Sequence, residues 1–236
     1  MKLLLVLMLA AAHQFLGVPR SSSESLGGAT TAQTGEHDHC APATPRNSEE
    51  PEEPRGTNHT TPWTPAAERK PLQNLDIPFK DQDGRDGVLG KVIDKPVLVT
   101  FFYTRCQNSK KCSMAVTRLT GLQRQLAKAG IDDRVRLLAI SYEPQFDTPE
   151  RLHRYATDRG LQPTPNALLL QLDAARNQNL VDQLNAPANY NAGWINTHGV
   201  ELTLLDAHGR PVRKYHTVLW NNEQVIADVQ RVLAEQ

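Results

Sequence analysis

Apolar side chains recur with two distinct periods between about Leu72 and Leu233, and the long stretch before them has neither. Leu75, Ile77 and Phe79 alternate with polar neighbours and run into Asp81-Gln82-Asp83-Gly84, which predicts a strand followed by a turn. Val97 to Tyr103 is an unbroken β-branched and aromatic run, the composition of a central strand buried on both faces. Ala115, Leu119, Leu122 and Leu126 repeat at helical spacing, so a helix is expected over about 109–129, closed by Gly130. Val135 to Ile140 predicts a second interior strand. Thr148 as cap and Pro149 at the first helical position start a helix that runs to about Arg159 and ends at Gly160. A short strand at Ala167 to Leu170 and a helix over 174–186 follow. Val200, Leu202, Leu204 and Leu205 then pair with Val212, Lys214 and Tyr215 across Ala207-His208-Gly209, and a last helix over 223–234 carries Val225, Ile226, Val229 and Leu233 on one face.

Strand, helix, strand, helix, hairpin, helix is the order of a thioredoxin-like fold, an α/β domain with a central mixed β-sheet flanked by helices. Functional groups in such a domain are expected at the carboxyl ends of the parallel strands. The pattern assigns the domain to 72–236. Residues 19–71 are rich in Ser, Thr, Pro, Gly and Glu and poor in large aliphatic side chains, so they are expected to form a disordered tether. In residues 1–18, Lys2 precedes the apolar run Leu3 to Ala12, which reads as a signal peptide. Ten apolar residues are too few to span a bilayer, which takes about 20. The chain is therefore expected to be exported, to the periplasm if bacterial, close to a membrane but without a clear span. Asn58-His59-Thr60 matches a glycosylation acceptor, meaningful only in a eukaryotic secretory pathway.

Charge removes some classes of partner. The 236 residues carry no net formal charge, and their Lys and Arg residues are spread along the chain. Neither a nucleic-acid footprint nor a polybasic membrane patch is visible.

The chemistry concentrates after the central strand. Cys106 follows Val97 to Tyr103 directly, and Asn108 or Ser109 is the natural cap of the next helix. The positive end of that helix, with Arg105, Lys110 and Lys111, favours a thiolate at Cys106, the form that binds metal or attacks disulfides. With Ser109 as cap, Cys112 falls in the first helical turn and both sulfurs can face one pocket. A structural disulfide between them is the plainer alternative; closing so short a loop contributes only about 2 kcal/mol. His198, ahead of the hairpin, is by composition an ordinary surface histidine, and His153, His208 and His216 are expected to face solvent. His37, His39 and Cys40 form a small cluster with ligand chemistry inside the tether. It reads equally as a metal-capturing arm or as an incidental polar tract.

Four segments together resemble the Sco/SenC copper proteins: Phe102-Tyr103-Thr104-Arg105-Cys106; Ile140-Ser141-Tyr142-Glu143-Pro144 with Asp147-Thr148-Pro149-Glu150; Thr197-His198; and Leu204-Leu205-Asp206-Ala207-His208-Gly209-Arg210. The resemblance runs from about Leu75 to Leu233. It implies that Cys106, Cys112 and His198 bind copper and that the protein is a metallochaperone rather than an enzyme. It implies as partner a copper-accepting subunit of cytochrome c oxidase or another copper protein. Two thiolates suit Cu(I), and an added imidazole accommodates Cu(II). The chain departs from the family in its cysteine spacing. Five residues, Gln107 to Lys111, stand where the family has three, and Gln107 replaces the usual proline. The extra pair is expected to be absorbed in the loop before the helix.

Three other functions use the same residues differently. An exported thiol-disulfide oxidoreductase would employ Cys106 and Cys112 as a redox-active disulfide. Against it, Ser109 stands where a Cys-x-x-Cys motif would place its second cysteine, and His198 replaces the proline of thioredoxins. A peroxiredoxin would need Pro and Thr where Val99 and Tyr103 stand. A non-catalytic interaction domain that keeps only the fold is the third.

Overall fold

The structure is a computed structural model and describes residues 59–186, 188–191 and 194–235. The expected signal peptide, most of the expected tether, the His37-His39-Cys40 cluster and Asn58 lie outside these residues. The elements are β1 (Pro78–Asp81), β2 (Asp86–Val88), β3 (Val97–Phe102), α1 (Met114–Lys128), β4 (Arg136–Ser141), α2 (Pro149–Thr157), β5 (Ala167–Leu172), α3 (Ala174–Gln183), β6 (Ala188–Asn191), β7 (Trp194–His198), β8 (Leu202–Leu205), β9 (Pro211–Tyr215) and α4 (Asn222–Ala234). Seven strands make one sheet in the order β2-β1-β5-β4-β3-β8-β9, and β6 pairs with β7 in a separate hairpin. β3 runs parallel to β4, and β4 to β5; the flanking strands are antiparallel to their neighbours.

β3 has every residue buried because both faces of the sheet are covered. Leu98 and Phe102 enter a core with Leu119 and Leu122 of α1, Leu152 of α2 and Val229 of α4. Val97, Val99 and Phe101 enter a second core with Leu180 and Val181 of α3. Burying each such side chain contributes roughly 2 kcal/mol. This alternation lets β3 hold the residues just past its end at a fixed height above the sheet.

The structure shifts some elements. The strand expected at Leu75 starts at Pro78, because Leu75 and Ile77 give their carbonyls to Gly90 and Leu89 in a short helical turn rather than to a strand ladder. β2 has no apolar alternation to reveal it. It is fixed instead by Gly87 lying under the Phe79 ring, where a Cβ would come 2.3 Å from Cζ. Gly130 does end α1, with φ +67°, a conformation glycine adopts without steric cost. The β6–β7 hairpin occupies a stretch of mixed polar and apolar residues for which no element is expected from sequence.

Part of the stretch whose composition reads as a tether is packed on the domain. Residues 59–71, expected in the tether, pack on the domain, the first of them along β9: Thr61 and Thr64 donate to the carbonyls of Lys214 and Val212, and Thr60 bridges to Tyr215. Trp63 packs between the guanidinium groups of Arg69, Arg213 and Arg231. The Arg69 side chain is 1% exposed and joins Asp206 of the hairpin turn to Glu235 after α4. One tryptophan and one buried arginine thus anchor a segment whose average composition reads as unstructured.

Arg69→Ala should lower the unfolding free energy by about 3 kcal/mol, because it leaves Asp206 buried with one cation fewer. Lys80→Ala, which removes an exposed pair with Asp86, should change it by about 0.5 kcal/mol or less. Urea denaturation of both proteins makes the comparison. An Arg69→Ala domain as stable as its parent would show that the Arg69 ion pairs contribute nothing.

Candidate metal centre

The chain leaves β3 at Phe102 and reaches Cys106 through a turn fixed from below. Asp147 is fully buried and accepts from the Thr104 N–H, the Thr104 hydroxyl and the Ser141 hydroxyl at the end of β4. Burial pushes its carboxyl upward, opposed by those hydrogen bonds. Arg105 forms a bidentate pair with Glu143, both contacts 2.7 Å, and its guanidinium lies over the Phe146 ring. Residues on either side of β4's end therefore hold Thr104 and Arg105, and with them the position of Cys106.

Between the cysteines the helix starts abnormally wide. Asn108 is the cap, its side chain accepting from the Lys110 N–H, and Ser109–Ser113 form a turn of π-helical width. Lys111 departs from helical backbone, with φ −114° and ψ −106°. The additional residues are thus absorbed in this widened first turn rather than in a loop ahead of the helix. Cys112, at 0% exposure, lies within the wide turn with its sulfur directed back toward Cys106.

His198 is the last residue of β7 and is buried. Its ring meets Tyr103 and Tyr142 edge-on, with centroids 5.0 and 6.1 Å away. Its Nε2 lies 3.1 Å from the Cys112 sulfur and 3.7 Å from the Cys106 sulfur. The two sulfurs and the ring nitrogen all fall within 4.8 Å of one another, and among the described residues this is the one group of three or more such side chains able to hold a metal ion. Both cysteines are free thiols. The structural disulfide considered above is not formed in this structure. His153, His208 and His216 are exposed, as expected.

The two thiols are electrostatically unequal. The Cys112 S–H donates to Cys106, which lowers the Cys106 pKa to about 5; the backbone N–H of Cys112 acts in the same direction. The same hydrogen bond, together with burial, holds Cys112 protonated. Burial lowers His198, so its imidazole is neutral and can act as a ligand. In the reduced protein one proton is shared by the sulfur pair, and metal binding must displace it.

Sequence reading placed the three ligand candidates and counted Lys111 among the charges near Cys106, but it gave no role to Asp147, Glu143 or Tyr142 and did not foresee the contact of Lys111 with His198. Glu143 and Asp147 lie inside the second segment quoted above, and a buried acid two or six residues after a strand end is the signal that could have singled them out.

A thioredoxin-like domain with a thiol, thiolate and imidazole converging beyond its central strand is a protein built to hold a soft metal or to exchange disulfides. The SCO1/SenC family model matches residues 68–234. The chain belongs to that family. A SCO1 protein homolog of Bacillus subtilis (strain 168) is 30% identical over 80 residues, a match spanning 34% of this chain and 39% of that relative's length. Among solved structures, Bradyrhizobium japonicum ScoI with copper bound shares 24% identity and a TM-score of 0.54, covering 66% of this chain and 96% of that one. BsSco, described as having a disulfide switch and as a member of the Sco family of cytochrome c oxidase assembly proteins, shares 22% identity and a TM-score of 0.57, over 70% and 96% of the two chains.

In the metal-free reduced protein, iodoacetamide should modify Cys106 well before Cys112, because Cys106 is part-exposed and ionised. The thiolate persists down to pH about 5, so labelling of Cys106 should continue at pH 6, where an ordinary thiol is almost fully protonated. Peptide mapping reads the site of modification. Equal labelling of the two cysteines, or loss of labelling below pH 8, would contradict the inequality.

Proposed function

We propose that this chain is an exported copper-binding protein that delivers copper for assembly of a respiratory cytochrome c oxidase, with Cys106, Cys112 and His198 as its ligands. The observation that carries this reading is the convergence of two sulfurs and one imidazole nitrogen within 4.8 Å. The cluster contains no carboxylate, so its donors match Cu(I) and Cu(II) and suit neither Ca²⁺ nor Mg²⁺. Copper is the cargo here, and the unequal burial of the sulfurs bears on its handover. Cys112 and His198 hold from inside while Cys106 faces outward, so an incoming ligand from a copper-accepting oxidase subunit or other copper protein can replace Cys106 first. Residues 1–18 serve as signal peptide, 19–58 as tether and 59–236 as the domain, placing the protein in the periplasm if the source is bacterial. Among the described residues, no helix is long and apolar enough to cross a membrane.

A second reading rests on the thiolate at Cys106 beside the Cys112 thiol. Attack by Cys106 on a partner disulfide would form a mixed disulfide and release one partner thiolate. Attack by deprotonated Cys112 on the Cys106 sulfur would then release the other, oxidising this chain's pair by two electrons as the partner is reduced.

The two readings separate at His198. The reduced protein should bind about one copper per chain, as one three-ligand group requires, and Cys106→Ala or Cys112→Ala should abolish tight binding. His198→Ala should weaken copper binding strongly and leave disulfide exchange largely intact, because exchange depends on thiolate fraction and access. Metal analysis with a competing chelator and an insulin-reduction assay measure the two. Unchanged copper stoichiometry and affinity in both cysteine variants would overturn the copper reading. Unaffected copper affinity with collapsed insulin reduction in His198→Ala would make the protein an oxidoreductase.

A further inference from the structure

His198 stands on a hairpin that is not part of the seven-stranded sheet. Strand pairing to β6 orders its backbone locally, yet pairing within a two-strand unit does not fix where that unit sits over the cysteines. Ala188 and Ile195 of the hairpin pack against the second core, and two further kinds of contact are made at His198 itself. The rings of Tyr103 and Tyr142 meet the imidazole, and the Lys111 Nζ donates to the His198 carbonyl oxygen at 3.0 Å. Aromatic contacts tolerate sliding by a fraction of an ångström, whereas a hydrogen bond from an ammonium to a carbonyl is directional and charge-assisted.

Lys111 is also the residue at which the backbone between the cysteines breaks from the helix. A regular helix through this point would send its side chain elsewhere on the helix surface, so the break and the reach to His198 belong together. One residue of the wide turn thus makes the Cys106–Cys112 segment and the His198 carbonyl a single unit.

We propose that Lys111 is a positioning residue for the metal centre, tying the His198 backbone to the cysteine turn so that Nε2 stays in range of both sulfurs. This rests on the copper reading above. Its ammonium also places a positive charge beside a centre that, with two thiolates and Cu(I), carries a net negative charge. That assists binding but leaves His198's place to the hydrogen bond.

Lys111→Met keeps most of the aliphatic stem and removes the donor and the charge; Lys111→Arg restores both. Two measurements decide the proposal. Amide hydrogen exchange on the metal-free protein should be faster at His198 to Val200 in Lys111→Met, unchanged in β3 and β4, and restored by Lys111→Arg. Cu(I) affinity, read by competition with a chromophoric chelator, should fall about tenfold in Lys111→Met and recover in Lys111→Arg, the size expected when a group orienting a ligand is lost. The thermal midpoint of the metal-free protein should barely move.

Parental exchange at His198 to Val200 in Lys111→Met would overturn the tie, and a lowered affinity with parental exchange would assign Lys111 to charge alone. Faster exchange with parental affinity would overturn its role at the metal centre. If the parent protein itself took up no copper, the functional reading would fall, and the exchange measurement would still decide whether Lys111 holds the His198 backbone.

Discussion

Cys112 and His198 are 86 residues apart in the chain, yet their ligand atoms are 3.1 Å apart in space. Holding such a distance on mobile segments would cost the ordering of every residue involved, and a metal site tolerates only fractions of an ångström of slack. The constraint that the rest of the structure serves is therefore a rigid floor under both segments. β3 supplies it: fully buried, paired to β4 on one side and β8 on the other, and packed by helices on both faces. The turn with Cys106 leaves its carboxyl end, and the hairpin with His198 returns to the sheet through β8 beside it.

Polar groups then fix what lies above that floor. Asp147 gathers Thr104 and Ser141 from the ends of β3 and β4, and Glu143 holds Arg105. Such contacts are individually modest, but each is buried or half-buried, where an unmade hydrogen bond costs about 1–3 kcal/mol. Within this frame the sulfurs share a proton unequally, giving an outer thiolate and an inner thiol beside a neutral imidazole. That arrangement receives a soft metal ion with the release of few protons and leaves the outer sulfur accessible for its transfer.

Much of this could be read in the chain. The run Val97 to Phe102, the period of α1 and the pairing of β8 with β9 are strong patterns, because deep burial demands uniform chemistry along an element. The three candidate ligands followed from Cys106's place after β3 and from the four family-like segments. What stayed hidden depends on single side chains rather than on periods. β2 rests on Gly87 beneath Phe79, β6 and β7 lie in sequence with no sustained period, and the packing of residues 59–71 rests on Trp63 and Arg69 within a composition that otherwise resembles a linker. The wide turn around Lys111 was invisible for a related reason. A π-helical turn has no pattern of its own that sequence periodicity could reveal.

The central claim is that two sulfurs and one imidazole from this chain form a single metal centre, and X-ray absorption spectroscopy at the copper edge tests it most directly. Protein loaded with one equivalent of Cu(I) under reducing conditions should show two sulfur neighbours and one nitrogen neighbour, with the multiple-scattering signature of an imidazole ring. The nitrogen contribution should vanish in His198→Ala while both sulfurs persist. A copper environment made only of oxygen and nitrogen, or one whose nitrogen is indifferent to His198, would contradict the account.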